Sequence, residues 1–423
     1  MALRMAVLSF ALMAPSIAGG SELLDACGAA AASRYEVGFE SIGLSLEQIK
    51  PEGAIAACIA ALEEDPASEQ AEAWLARAYF ADGQYEKALS TVQDPAYAGN
   101  LLAQTLLGDL LITGLGGLMS ATQGAELLET AAIAGFAPAQ NSLGLTYDHG
   151  EGFPEDDVIA ANWYRAAAEQ GLPRAEANLA LMYQEGLGVP HDYVAAAAWF
   201  TRAADAGDPA GQVGLGKIFE RGLSVPVDYA RAAELYRLAA DQGDMAGQND
   251  IGFLMERGLG LPADPAAAAK YYRLASDQGM ALAKHNLALL YEEGRGVEQD
   301  YEQALALYRE AAEAGEIDAA VNLGVMYLDG VGTAVDRVEA FKWTEFAAKN
   351  GSATGQNNLG HLYELGLGVA RDFGVARQNY QLAADQGYQL AIDNLARLDE
   401  VRVRPPPPGD GPKTQRKNKI ENG

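Results

Sequence analysis

Residues Ala139–Gly171 read AQNSLGLTYDHGEGFPEDDVIAANWYRAAAEQG, and the pattern returns every 36 residues. Gly144, Ala180, Gly216, Gly252, Ala288, Gly324 and Gly360 share one column of this register. Gly135, Gly171, Gly207, Gly243, Gly279, Gly315, Gly351 and Gly387 share another. A period kept without one inserted residue marks stacked repeats, not a single globular core.

Each unit reads as two helices. Helix A starts at a small residue (Ala139, Ala175, Gly211, Gly247, Ala283, Ala319, Gly355) and carries Leu143, Leu179, Leu215, Ile251, Leu287, Leu323 or Leu359. Four residues on stands an aromatic or Met: Tyr147, Tyr183, Phe219, Met255, Tyr291, Tyr327, Tyr363. An i, i+4 pair shares one face and buries together. The glycine column beside it costs about 1 kcal/mol per helix, so it implies close approach of a neighbour. A Gly-x-Gly turn follows, as at Gly186/Gly188 and Gly366/Gly368. No strand precedes it, so it reads as a tight αα turn and not as a phosphate cradle. Helix B opens at Ser120, Asp156, Asp192, Asp228, Asp264, Asp300, Asp336 or Asp372, residue types that accept the unpaired N–H groups of a first turn. It ends on Ala-Ala and a Gly stop such as Gly171.

Eight such units are predicted: 101–136, 137–172, 173–208, 209–244, 245–280, 281–316, 317–352 and 353–388, closed by a helix over Gln389–Glu400. Upstream, Ala73-Trp74-Leu75, Ala78-Tyr79, Asp82-Gly83, Tyr85 and Ala88-Leu89 resemble one tetratricopeptide repeat. The recurrent A-x-x-N-L-G-x-x-Y-x-x-G-x-G-V-x-x-D with its later aromatic pair, almost intact in Ala175–Gly207 and Ala319–Gly351, resembles the Sel1-like repeat family. That resemblance implies an all-α fold, an α/α superhelical solenoid of Sel1-like and tetratricopeptide-like hairpins. It also implies an adaptor that binds other proteins. A cysteine-rich exported group of the family is described as penicillin-binding or β-lactamase-like, but the repeats here contain no Cys. The expected organisation is a signal peptide at 1–18, a helical cap with one tetratricopeptide-like repeat at 19–100, the array at 101–400 and a disordered Pro-rich basic tail at 401–423.

The chain of 423 residues is 49% hydrophobic and carries a formal charge of -28, which suits a folded protein that repels nucleic acid and anionic lipid. The charge either steers a basic protein or peptide toward the surface or serves solubility alone. Arg4, the apolar run Met5–Met13 and Ser16-Ile17-Ala18 read as a secretory signal cut after Ala18, and no later run is long enough to span a membrane. A secreted, periplasmic protein follows. In that compartment Cys27 and Cys58, on Ala-rich helical stretches joined by a loop, either form a disulfide or remain two small buried thiols. The tail holds six Lys/Arg against two Asp/Glu and either stays solvated or folds back on the acidic array.

No catalytic set is found. His149, His191, His285 and His361 fall in different units and columns, and no His-Glu-x-x-His, Ser-x-x-Lys or Gly-x-Ser-x-Gly occurs. No catalytic residue, metal site or cofactor is expected. One column invites a binding role: Asn178, Asp250, Asn286, Asn322, Asn358 and Asn394, each just before a core Leu or Ile. A ladder of amides either grips the main chain of an extended peptide or bonds the neighbouring repeat. Specificity is assigned to the variable positions Lys217, Phe253, His285, Val325 and His361. The reading is an exported protein-binding scaffold or regulator, with a cell-wall or β-lactam-hydrolysing enzyme as the alternative; oligomeric state is left open.

Overall fold

The structure, a computed structural model, describes residues 21–39 and 43–403; the expected signal segment and the tail from Arg404 lie outside the described residues. Among the described residues every regular element is helical. The first four helices are α1 (Glu22–Ala31), α2 (Pro51–Glu64), α3 (Glu69–Ala81) and α4 (Tyr85–Tyr97). The repeats follow as A and B pairs: α5 and α6 (Leu101–Thr113, Ala121–Ile133), α7 and α8 (Ala137–His149, Asp157–Glu169), α9 and α10 (Pro173–Glu185, Tyr193–Asp205), and α11 and α12 (Pro209–Arg221, Tyr229–Asp241). Then come α13 and α14 (Met245–Arg257, Pro265–Asp277), α15 and α16 (Ala281–Glu293, Tyr301–Glu313), α17 and α18 (Ile317–Asp329, Arg337–Lys349), and α19 and α20 (Ala353–Leu365, Phe373–Asp385). The closing helix α21 (Gln389–Val403) runs three residues past the predicted Glu400. The chain forms two compact units, Met1–Gly214 and Leu215–Gly423. In the first unit successive helices from α1 to α10 pack on one another, and in the second those from α12 to α21 do.

The local signals act as their chemistry dictates. Side chains of Asp156, Asp264 and Asp300 accept the N–H three residues on at 2.9–3.0 Å, closing the first turn of each B helix. Ser120 is an exception; it occupies the cap position but makes no side-chain capping bond. The A helices start two residues earlier than expected, at Pro173 and Met245 for example. Proline at the first helical position has no N–H to leave unpaired, and the Asp244 side chain caps Gly247 N at 2.7 Å.

The Gly-x-Gly turn is a packing device. A Cβ on Gly368 (φ +71°) would lie 1.9 Å from the Arg337 carbonyl oxygen, at the start of the preceding repeat's B helix. Ser224 fills the same column and is the only non-glycine residue with positive φ among the described residues, at 64°. The helical glycines admit an aromatic ring: a Cβ on Gly216 would stand 2.4 Å from the Tyr236 ring. Tyr164, Tyr236, Tyr272, Tyr308 and Tyr380 are the largest fully buried side chains. Each phenol donates to a carboxylate sixteen residues earlier, at the end of helix A. Tyr164 bonds Asp148 at 3.0 Å, Tyr236 Glu220 at 2.5 Å, and Tyr272, Tyr308 and Tyr380 bond Glu256, Glu292 and Glu364 at 2.8 Å.

In the first unit Cys27 and Cys58 form a disulfide that joins α1 to α2. Both are fully buried in a core shared with Phe39, Trp74, Leu107 and Leu143. No helix among the described residues is long and apolar enough to cross a membrane.

Candidate partner-binding face

The A helices position the candidate binding residues. Asn178 donates its amide to Asn141 at 3.0 Å, Asn286 to Asn249 at 2.9 Å and Asn394 to Asn357 at 2.8 Å. In each pair the acceptor stands 37 residues earlier, on the preceding A helix. Asn286, Asn322, Asn358 and Asn394 are buried. Of the two readings left open for this column, the bond to the neighbouring repeat is the one made at Asn178, Asn286 and Asn394. A buried amide must be hydrogen-bonded, and here the partners lie inside the array. Asn178 and Asp250 remain half-buried. Asp250 accepts from Asn249 at 3.0 Å and faces the Lys217 ammonium at 3.7 Å. Burial raises its pKa, against the opposing pull of Lys217.

The variable positions divide. His285, Val325 and His361 are buried, which corrects their assignment to a binding surface. His285 lies against the Tyr308 ring at 5.6 Å, and burial lowers the His361 pKa more than the nearby Glu364 charge raises it. Lys217 keeps 40% of its side chain accessible, and Phe253 is half-buried beneath the Arg257 guanidinium, 4.5 Å from the ring centre.

Lys217 and Phe253 share a column with Asp109, Leu145 and Leu181, which sequence reasoning passed over although the period alone selects them. Leu181 is 48% exposed. Burial pushes the Asp109 carboxyl up to about 7, and its hydrogen bond with Ser142 only partly offsets this. Farther along the column, Leu289, Val325 and His361 are buried. The carboxylates Glu220, Glu256, Glu292 and Glu364, one column of the repeat, are the acceptors of the buried phenols. Among the described residues no group of three or more His, Cys, Asp or Glu side chains is arranged to hold a metal ion.

Capped helical hairpins in a fixed register, zipped along their A helices, define a helical-repeat solenoid. A Sel1 repeat profile matches residues 101–136, 137–172, 173–208, 209–244, 246–280, 281–316, 317–352 and 353–388, and a tetratricopeptide repeat profile matches 45–110. The chain is similar to a Sel1 repeat protein from Oxalobacter formigenes, at 30% identity over 74% of this chain and 90% of that one, with a TM-score of 0.52. It is also similar to a protective antigen of uropathogenic Escherichia coli displaying an SLR fold, at 28% identity over 87% of this chain and 86% of that one, with a TM-score of 0.47. No curated protein matches. The chain belongs to the Sel1 repeat family.

Proposed function

We propose that this protein is an exported, non-enzymatic scaffold that holds a protein or peptide partner on its A-helix face. Sel1 and tetratricopeptide repeats typically mediate protein binding. The observation that carries the reading is the accessible part of one column. Within the second unit, Lys217 and Phe253 offer an ammonium and an aromatic ring from successive A helices. Side chains of this kind anchor interfaces, and half-buried Asp250, 3.7 Å from the Lys217 ammonium, adds polar atoms beside them. The formal charge of -28 favours a basic partner, by steering it and by repelling acidic competitors. The Cys27–Cys58 disulfide belongs to an oxidising compartment, and with the secretory pattern of residues 1–18 it supports the periplasm of a Gram-negative host.

Site-specific photo-crosslinking tests this. A photoreactive residue placed singly at 217 or 253 should trap the same protein from a periplasmic extract. Excess unlabelled chain should compete, and high salt should weaken the yield. A specific adduct from a control at Leu274, exposed on helix B, with none from the two A-helix positions would refute the proposal.

A further inference from the structure

Residues 21–39 precede both repeat matches, yet the disulfide fixes them against the array. The turn after α1 folds over the starts of α3 and α5, and the Tyr35 hydroxyl reaches the Gly171 carbonyl at 3.1 Å. Between this turn and the helices lies a cavity of about 380 Å³, within the size range of small-ligand sites. Its walls are largely apolar: Leu24, Phe39, Trp74, Leu101 and Phe136. Val37 also lines it, with a side chain 94% exposed.

The charged lining residues are Asp25 and Glu36, and both are acidic. Glu36 is held in place by neutral donors only. Gln70 donates to it at 2.8 Å and the Trp74 indole at 3.0 Å, while Asn100 fixes Gln70 from behind at 3.0 Å. Arg77, the nearby cation, spends its guanidinium on the Ala31 and Leu44 carbonyls at 2.7 and 2.8 Å. Asp25 is half-buried, and its carboxylate makes no hydrogen bond or ion pair among the described residues. An anion would meet two carboxylates here. A neutral ligand would make no use of the Asp25 charge.

We propose that this cavity binds an ammonium or guanidinium group carried on an apolar stem, Asp25 meeting the charge and the accessible side chains of Leu24, Val37 and Leu101 the stem, with the Trp74 and Phe39 rings beneath. A carboxylate beside an apolar wall suits such cations. The chemistry is common to a free organic amine and to a Lys or Arg side chain of a bound protein. The site is distinct from the A-helix face and stands whether or not a partner docks there.

Three probes of one length test it on the full mature chain: hexylammonium, 1-hexanol and hexanoate. The readout is the indole N–H resonance of Trp74, assigned with Trp74→Phe. Hexylammonium should shift it to saturation, hexanol should bind at least tenfold more weakly and hexanoate not at all. Asp25→Asn, a change at a half-exposed helix position, should weaken hexylammonium at least fivefold with the far-UV spectrum unchanged. Capped lysine amide binding like hexylammonium assigns the occupant to a protein side chain; its exclusion assigns it to a free amine, and either supports the site. Equal binding of hexanol, tighter binding of hexanoate, indifference to Asp25→Asn or a silent Trp74 resonance would each overturn the proposal.

Discussion

Tyr164→Phe and Asp148→Gln, made singly and together, measure what the buried phenol–carboxylate pairs contribute. The Tyr164 hydroxyl donates to Asp148 at 3.0 Å from a ring only 1% exposed. The ring cannot drift, because it sits where a Cβ on Gly144 would be, 2.6 Å from two of its carbons. A hydrogen bond to a charged acceptor nets about 1.5–3 kcal/mol, and water at half-buried Asp148 places this one at the low end. We expect Tyr164→Phe to cost about 1.5 kcal/mol and Asp148→Gln about 1 kcal/mol. The double variant should cost about 1 kcal/mol, because it recreates Gln184 opposite Phe200, a combination the chain already uses one repeat on. The coupling is then about 1.5 kcal/mol. Urea unfolding supplies the energies, and hydrogen exchange in α7 and α8 localises them, since repeat arrays need not unfold in two states. Burial, and after it the Asp148 charge, raises the Tyr164 pKa above its ordinary 10.0. The unfolded chain therefore ionises first, and stability falls as pH rises past about 10, by up to about 1.4 kcal/mol per pH unit for this residue. Tyr164→Phe should lose that slope. Additivity of the two changes within about 0.3 kcal/mol would refute the reasoning.

Asp109→Asn should stabilise the protein at pH 8 and change little at pH 4. The folded carboxyl titrates near 7 and the unfolded one near 3.8, so between those values the folded state holds a proton that the unfolded chain has lost. Stability contributed by the protonated form is complete below about 4 and gone above about 7. The gain from Asp109→Asn, read as unfolding free energy from urea titrations, should be about 1–2 kcal/mol larger at pH 8 than at pH 4 once the group's partial exposure is discounted. Gly368→Ala and Gly387→Ala separate backbone strain from collision. Both glycines have positive φ, but only Gly368 has a carbonyl where its Cβ would go. Thermal unfolding should show a loss of about 1 kcal/mol at Gly387 and at least 3 kcal/mol at Gly368. Reducing the Cys27–Cys58 bond, which closes a separation of 31 residues, should cost the first unit about 3–4 kcal/mol. Limited proteolysis should then cut within 21–64 and spare the repeats of the second unit.

The architecture was legible because its signals are local and repeated. Each Asp at a B-helix start satisfies the amides of its own turn, and each glycine stop needs only its own backbone, so neither depends on distant neighbours. The binding residues were less legible because exposure is not local. Asn178 and Asn322 occupy one column with one helical signature, yet the first is half-buried and the second fully buried. Nothing in the helical signature of a single A helix encodes that difference. The cap cavity was invisible for a stronger reason. Its walls come from residues 24 to 136, brought together by a turn that no repeat pattern covers.

One class of contact was nevertheless written in the sequence, in the variation between repeats. Sixteen residues separate Asp148 from Tyr164, Glu220 from Tyr236, Glu256 from Tyr272, Glu292 from Tyr308 and Glu364 from Tyr380. Where the carboxylate is replaced, so is the phenol: Ile112 stands with Leu128, Gln184 with Phe200 and Leu328 with Thr344. A buried phenol without its acceptor, or a buried carboxylate without its donor, costs more than losing both, so the two positions change as a unit. The glutamines behave alike where the structure pairs them. Gln170 bonds Gln140, Gln278 bonds Gln248 and Gln386 bonds Gln356 at 2.7–2.8 Å, while Ala314 stands opposite Lys284 and Asn350 opposite Ala320. A repeat protein thus carries its own alignment, and columns that co-vary are packing partners. The half-buried positions Lys217 and Phe253 of the second unit do the opposite: a base and an aromatic stand in one column of consecutive repeats. Packing confines a buried position to groups that fit, so free variation on half-exposed A-helix positions is what a recognition surface requires and a seam forbids.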